Sequence, residues 1–172
     1  MTKGLSTIAM TLIIAVLALG VTNTPASAGK KKDKQTIAGI ASGNPDLSTL
    51  VAALDAAGLV ETFDGKKHYT VFAPTNAAFA KALADLGMTA EQLLGNKELL
   101  TSILLYHVTN GDRNAKSVVS AKKIKMLDKN DAEIMVKDDG AYINNAKIVT
   151  ADIMAKNGII HVIDYVLLPP KK

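Results

Sequence analysis

Side chains able to carry acid–base, nucleophilic or metal chemistry are few in this sequence and lie far apart along it. The three histidines, His68, His107 and His161, include no pair at the i, i+4 spacing with which a helix presents two ligands to zinc. The sequence contains no cysteine, no Gly-x-Ser-x-Gly nucleophile elbow and no glycine-rich phosphate-binding loop. This inventory favours a protein that is not an enzyme.

Two groups of acidic residues are the remaining candidates for chemistry. Asp138 and Asp139 are followed by a glycine, a combination typical of hairpin turns, so we interpret them as turn residues and not as an acid/base pair. Asp128, Asp131 and Glu133 are close enough in sequence to approach a cation, but their segment lacks the glycine and the ligand spacing of a calcium-binding loop. We therefore predict no catalytic residue, no metal and no cofactor.

Positive charge is concentrated at the two ends of the chain. The whole chain carries 20 basic and 16 acidic side chains, a net charge of +4, with a pI near 9.2. Residues 1–34 and 171–172 hold seven of the lysines and one acid, so residues 35–170 have a net charge of −2. Nucleic-acid-binding domains usually combine clustered basic residues with stacking aromatics. We find no such combination and predict no nucleic-acid partner.

Residues 1–28 have the pattern of a signal peptide. Lys3 precedes an apolar run from Ile8 to Val21, and Ala26-Ser27-Ala28 provides the small-x-small pattern that signal peptidase accepts. The run is shorter than the roughly 20 apolar residues that a membrane-spanning helix needs; an uncleaved N-terminal anchor is the alternative. We therefore expect an exported protein, periplasmic or extracellular.

Residues 29–34 are predicted to be a flexible basic tail, because lysine occupies four of the six positions. Exposed lysines of this kind give weak, salt-sensitive attraction to anionic surfaces.

Residues 35–170 have the length of a single domain. Since no disulfide is possible, that domain has to be held together by its apolar core alone. We expect a monomer.

The first half of this domain has the periodicity of helices. Asn44-Pro45-Asp46 is a helix start, followed by apolar residues at helical spacing from Leu47 to Leu54 and by Gly58 as a stop. A short strand is predicted from Tyr69 to Ala73. Further helices are expected to begin at Thr75-Asn76 with a core stripe of Phe79, Leu83 and Leu86, at Thr89 with Gln92 as a capping box, and at Asn96.

The second half has the patterns of strands. Residues 133–137 and 141–143 are predicted to be strands joined by the hairpin turn, and a further strand covers residues 146–149. Residues 158–163 are apolar on both faces, so this strand should be central in the sheet. Residues 150–157 are predicted to be a loop. Helices followed by mainly antiparallel strands define an α+β fold class.

Two long segments resemble the signature blocks of a known family. The first is residues 70–79, TVFAPTNAAF, and the second is residues 157–169, NGIIHVIDYVLLP. Leu105-Tyr106-His107-Val108 lies between them. In this order and at these separations, the segments resemble the fasciclin domain family, over roughly residues 35–170.

The resemblance implies a fold and a function. The fold would be a wedge or sandwich of mainly antiparallel strands with several helices packed on one side. The function would be cell adhesion or attachment to matrix and partner proteins outside the cell, without catalysis or a cofactor, as in the secreted single-domain bacterial members. The partner would be an unidentified protein or surface polymer.

The same resemblance implies contact residues. The family's Tyr-His region corresponds to Tyr106 and His107, and its Asp-Ile pair corresponds to Asp152 and Ile153. Each has a structural alternative. Tyr106 and His107 lie among leucines and valine, so a half-buried histidine that donates to a backbone carbonyl is the alternative to a contact residue. Asp152 precedes the predicted loop and could cap a turn.

Three functions of different classes remain open at this point. The first is an adhesion or protein-interaction module. The second is a carrier of a small apolar, carotenoid-like ligand, held in a groove lined by Leu47, Leu50 and Leu54. The methionines Met126, Met135 and Met154 suit such a groove, although filling gaps in the core is their alternative role. The third is an enzyme without a recognisable motif.

Overall fold

A computed structural model describes residues 35–170 of the chain. The predicted signal peptide (1–28) and basic tail (29–34) lie outside the described residues. The helices of the described part are α1 (Ile37–Ser42), α2 (Ser48–Ala56), α3 (Val60–Asp64), α4 (Asn76–Leu86), α5 (Ala90–Gly95), α6 (Lys97–Tyr106) and α7 (Ala115–Ser120), and a 3₁₀ turn, Pro45–Leu47, leads into α2. The strands are β1 (Tyr69–Pro74), β2 (Val108–Asn110), β3 (Lys123–Lys125), β4 (Asp131–Lys137), β5 (Gly140–Ile143), β6 (Ala146–Ala155) and β7 (Gly158–Ile163).

Capping side chains set the helix boundaries that the sequence predicts. Thr75 accepts a hydrogen bond from the Ala78 amide at the start of α4, and Gly87, in the left-handed conformation with φ of 62°, ends that helix. Thr89 and Gln92 form the predicted capping box of α5, and Asn96 caps α6. These three helix starts are confirmed.

The strands form one seven-stranded sheet in the order β2-β1-β7-β6-β5-β4-β3. β1 and β7 pair in parallel, with Tyr69 opposite Gly158 and Pro74 opposite Ile163, whereas all other pairs in this sheet are antiparallel. The α+β class and the central position of β7 are confirmed. This parallel pair connects the two halves of the sequence, because β1 belongs to the helical first half and β7 is the last strand of the second half.

Each face of the two central strands covers a different core. Val71 and Ala73 of β1 join Ile160 and Val162 of β7 in a core under the helices. The alternate residues contribute to a second core, in which Phe72 and Ile163 pack with residues of α7, β3, β4 and β5. Strands buried on both faces are apolar at consecutive positions instead of alternating, which explains the pattern of residues 158–163.

The two edge strands approach each other and nearly close the sheet. The amide of Leu127, just after β3, donates to the Val108 carbonyl of β2 at 2.8 Å. The hydroxyl of Thr109 donates to the Lys125 carbonyl at 2.7 Å. These bonds satisfy edge groups that would otherwise be open for pairing, and they bring the sheet of the described domain close to a barrel.

The predicted loop at residues 150–157 is wrong, because β6 continues to Ala155. Its pairing with β7 shifts register between Ile148 and Thr150 and again between Thr150 and Ile153. Each bulge breaks the alternation of facing residues, so the sequence pattern of one long strand resembles a strand followed by a loop.

The predicted stripe of α4 is only partly correct. Phe79 is buried, but Leu86 is 37% exposed, and Ala78 and Ala82 occupy the core positions instead.

Among residues 35–170, no helix has the length and apolar character required to cross a membrane.

Candidate functional site

The predicted site residues lie on different elements of the fold. Tyr106 is the last residue of α6 and His107 caps that helix, immediately before β2. Asp152 and Ile153 lie in the second half of β6. Within residues 35–170 no hydrogen bond joins the first pair to the second. The two pairs therefore have to be assessed separately.

His107 is part of the core. Its side chain is 1% exposed. Nδ1 lies 2.7 Å from the Ile103 carbonyl, to which it donates, and Nε2 accepts from the Leu167 amide at 2.9 Å. Burial lowers the pKa of His107 to about 4, against a smaller opposing effect of the Ile103 carbonyl. His107 is therefore neutral at pH 7 and links α6 to the C-terminal segment.

Tyr106 is also buried, with 3% of its surface exposed. Its hydroxyl donates to the Asp131 carbonyl at 3.1 Å and accepts from the Asn144 side chain at 3.0 Å. It thus ties α6 to the β4–β5 side of the sheet. Neither member of the Tyr-His pair presents its side chain at the surface, so direct contact with a partner would require this part of the fold to open.

Asp152 is exposed and is held in an unusual backbone conformation. It lies at the second bulge of β6 and has φ of 59°, which few residues other than glycine, asparagine and aspartate adopt. Its Oδ1 accepts a hydrogen bond from the Ala115 amide at 2.7 Å, and its own amide donates to His161 Nδ1 at 3.2 Å. Asp152 therefore bonds to the start of α7, 37 residues away in sequence, and not to a turn that follows it, as the capping alternative supposed.

His161 connects this bulge to the segment before α7. It is fully buried on β7 and stacks on the Phe72 ring with 5.5 Å between centroids. Its Nε2 donates to the Arg113 carbonyl at 2.8 Å, which leaves Nδ1 as the acceptor for Asp152. Burial lowers the pKa of His161, while the Arg113 carbonyl and the Asp152 carboxylate oppose this effect. A neutral His161 fits both bonds.

Thr70 fixes the other side of the same segment. Its buried hydroxyl donates to the Gly111 carbonyl at 2.7 Å and accepts from the Arg113 amide at 2.8 Å. Residues 111–115 are thereby clamped between β1, β7 and the β6 bulge. Sequence reasoning missed Thr70, Arg113 and Ala115, because their partners are 37–48 residues away along the chain.

Ile153 and Met154 differ in what they expose. Ile153 pairs with Ile160 and is partly buried against the core under the helices. Met154 points to the other face and is 53% exposed. The surface at the bulge therefore combines the Asp152 carboxylate with Met154, and not with Ile153.

The apolar groove predicted for a carrier is absent from residues 35–170. Leu47, Leu50 and Leu54 are buried, none more than 5% exposed. The cavity beside Leu50 and Leu54 has a volume of about 10 Å³, the space of one water molecule at most. Of the three methionines, Met126 is in the core, and Met135 and Met154 are exposed.

The acidic candidates have structural partners. Asp139 accepts from the Tyr142 hydroxyl at 2.7 Å and from Lys147 at 3.1 Å, and these bonds, the Tyr142 bond foremost, lower the pKa of Asp139. Asp128 accepts from the amide and side chain of Asn130 in the turn between β3 and β4. Among the described residues, no three His, Asp or Glu side chains are placed to hold a metal ion together.

Comparison with known proteins identifies the class of domain. The model of the fasciclin domain family matches residues 45–169, so this chain belongs to that family. The chain is 46% identical over 137 residues to protein sll1483 of Synechocystis, covering 78% of this chain and 74% of that protein. It is 38% identical over 152 residues to the immunogenic protein MPB70 of Mycobacterium bovis, covering 85% and 75% respectively.

Two further relatives differ in size or sequence. The transforming growth factor-beta-induced protein ig-h3 of Sus scrofa is 40% identical over 135 residues, but the match covers 78% of this chain and only 19% of that protein. A solved structure of a FAS1 domain pair from the insect cell adhesion molecule fasciclin I superposes with a TM-score of 0.70 at 19% identity, covering 78% of this chain and 51% of that one. This superposition confirms the fold.

Proposed function

We propose that this protein is an exported, non-enzymatic fasciclin-domain protein that attaches to a protein or surface polymer outside the cell through the surface around Asp152. Attachment is supported by the relatives' names, which include a cell surface glycolipoprotein of M. bovis and an insect cell adhesion molecule. Both nitrogens of His107 and of His161 are used in hydrogen bonds within the fold, so neither ring is free to act as an acid or base.

The β6 bulge is the observation that carries this proposal. A non-glycine residue with positive φ has an energetic cost and persists only where the surrounding structure holds it. Here the Ala115 and His161 bonds hold Asp152 at φ of 59°. Asp152 and Met154 are both exposed on this rigid segment. A charged group for orientation beside an adaptable apolar group for burial is a suitable combination for a contact surface.

Two substitutions separate binding from folding at this surface. Asp152→Asn removes the charge but keeps a side-chain oxygen for the Ala115 amide and tolerates positive φ. Met154→Ala removes the exposed apolar group without entering the core. Ile153 is left unchanged because it packs against the core. Val136→Ala is the matched control, since Val136 is 64% exposed but lies on β4.

The assay is retention of the purified variants on cell envelopes of the native source. We expect Asp152→Asn with Met154→Ala to reduce retention at least tenfold and Val136→Ala to leave it unchanged, with equal melting temperatures. Retention of the double variant within about twofold, a change of only ~0.4 kcal/mol, would refute this site.

The carrier function has weaker support. A carotenoid-sized ligand needs a pocket of about 300–1,000 Å³ with mostly apolar walls. The apolar cavity under the helices measures about 10 Å³. The depression of about 500 Å³ along α6 is wide open to solvent and does not enclose a ligand; it is lined by Lys97, Glu98, Thr101, Ser102, Leu105 and Asp128. We therefore place attachment ahead of transport.

A further inference from the structure

Charge is strongly segregated within the described domain. Residues 113–129, which we call the basic segment, carry six basic side chains and one acid, a net charge of +5, while the rest of residues 35–170 has a net charge of −7. The basic segment comprises α7, β3 and the connections beside them. All five of its lysines are exposed. The net charge of −2 for the whole domain conceals this local excess.

Carboxylates border the basic segment on both sides in the chain, at Asp112 and at Asp131 and Glu133. Lys123 forms an ion pair with Glu133 at 3.2 Å, and Lys125 lies opposite Asp131 in the β3–β4 register. Both lysines project outward from an edge strand, since only Ile124 between them is buried. Three other lysines, Lys116, Lys122 and Lys129, form no ion pair within residues 35–170. The positive charges of these three lysines are therefore available to an anionic partner.

Arg113 begins the basic segment and is the only arginine among 20 basic residues of the chain. Its backbone is fixed on both sides, by Thr70 at the amide and by His161 at the carbonyl. The guanidinium makes no hydrogen bond or ion pair within residues 35–170, and its Nε is buried without a partner. The residue as a whole is partly exposed, so part of its side chain reaches the solvent.

A guanidinium in this state suits an oxyanion. Two parallel N–H donors match the oxygens of a carboxylate or sulfate, and the interaction is stronger than a lysine contact because the fork is planar and preorganised. Asp112, the preceding residue, bonds to His68 through its Oδ2 at 2.7 Å, and Asp152 uses its Oδ1 for the Ala115 amide. Arg113 therefore adds an anion-binding group next to the surface already assigned to attachment.

The side chains of the basic segment indicate which class of anionic partner fits it. It contains no aromatic residue for stacking against bases, which disfavours single-stranded nucleic acid. Val119, 39% exposed, is its only large apolar side chain at the surface, which gives little to insert into a membrane or a protein partner. Ser117 and Ser120 expose polar groups beside the lysines. Such a surface fits a hydrated, repeating polyanion.

We infer that the basic segment, with Arg113 as its anchor, binds an anionic polysaccharide through the polymer's carboxylate or sulfate groups. This inference rests on the proposed attachment function and concerns a second contact beside the surface around Asp152, because the Asp152 carboxylate itself would not attract an anionic polymer. The exposed lysines attract the chain of charges, and Arg113 holds one oxyanion in a defined position beside the β6 bulge.

The sole arginine makes a direct spectroscopic test possible. In ¹⁵N-labelled protein, Arg113 Nε–H gives the one arginine side-chain signal of the chain. Titration with dextran sulfate and with polygalacturonate should shift that signal, and neutral dextran should not. These two polymers distinguish sulfate from carboxylate as the preferred group. A signal that stays in place while either polymer binds would overturn the role of Arg113.

Affinity measurements on variants complete the test. We expect Arg113→Gln to weaken polysaccharide binding about tenfold, equivalent to ~1.4 kcal/mol, and Arg113→Lys to weaken it several-fold although the charge is kept. Lys81→Gln, at an exposed lysine on α4, is the matched control and should have no effect. A chain with Lys30, Lys31, Lys32 and Lys34 all changed to Gln should retain most of the binding, since the tail is not the site.

Three outcomes contradict the inference. These are equal affinity of Arg113→Gln and the unchanged protein, loss of binding on changing the tail alone, and tighter binding of polyglutamate or anionic lipid vesicles than of either polysaccharide. The proposed function is tested separately by envelope retention. If Asp152→Asn with Met154→Ala abolishes envelope retention while Arg113→Gln does not affect polysaccharide binding, the attachment site stands and the polysaccharide inference falls.

Discussion

Replacing His107 should lower stability at neutral pH and also remove much of the acid sensitivity of the fold. In the folded protein the pKa of this buried histidine is about 4, whereas the unfolded chain has an ordinary value of 6.5. Between these pH values the unfolded state binds more protons, so stability falls as pH falls. The stabilisation is fully present above pH 6.5 and is lost by about pH 4. The gap between the folded and unfolded pKa values corresponds to a fall of roughly 3 kcal/mol in the free energy of unfolding over this pH range.

The structure also sets the cost of the substitution at pH 7. His107→Ala leaves the Leu167 amide without its acceptor, and an unsatisfied buried donor costs about 1–3 kcal/mol. Loss of the ring from a site that is 1% exposed adds a packing cost. We expect a total of about 3 kcal/mol at pH 7. The stabilisation that neutral His107 gives the wild type is lost in acid. The wild type and His107→Ala should therefore have similar stabilities near pH 4.

Urea unfolding followed by circular dichroism at pH 7, 6, 5 and 4 measures both effects. His68→Ala is the control, since its side chain is 54% exposed, and it should have little effect at pH 7. His161 remains in both proteins and retains part of the acid sensitivity, because burial lowers its pKa as well. If the free energies of unfolding of wild type and His107→Ala differ by the same amount at pH 7 and at pH 4, then His107 is not a buried histidine that stays neutral in the folded protein.

Three shorter predictions follow from the sequence and the fold. Gly158→Ala should prevent stable folding, measured as loss of the thermal transition, because a Cβ there would lie 1.8 Å from the Tyr69 carbonyl oxygen, at φ of 151°; a normal transition would contradict the β1–β7 pairing. Cleavage is expected between Ala28 and Gly29, so N-terminal sequencing of exported protein should begin at Gly29 or a neighbour, and a start at Met1 would support an anchor. Protein purified from its native source should show no visible absorption band, since the apolar cavity is about 10 Å³; a carotenoid spectrum would support the carrier function.

Local signals predicted the helical half well. Helix caps are short-range chemistry, and Thr75, Thr89 and Asn96 act within three residues of themselves. The stop at Gly87 likewise depends on one residue's conformational freedom. The short elements α1, α3, α7 and β3, three to six residues each, were missed because they give too few positions for a periodic pattern.

The long-range parts of the fold and site could not be predicted in the same way. The parallel pairing of β1 with β7 joins residues about 90 positions apart, and nothing local specifies it. The β6 bulges hide a ten-residue strand. The family resemblance located Asp152, but its bonds to Ala115 and His161 exist only after the sheet has formed. The unpaired guanidinium of Arg113 likewise became visible only in the structure.

Cross-linking from the β6 bulge tests the central claim, attachment through the surface around Asp152, most directly. A photoreactive amino acid in place of Met154, which is 53% exposed, would lie on that surface, and the same residue in place of Val136, which is 64% exposed, would lie on β4. After irradiation on native cell envelopes, the account predicts a discrete adduct from position 154 and none from position 136. An adduct from position 136 alone, or identical adducts from both positions, would contradict the proposed site.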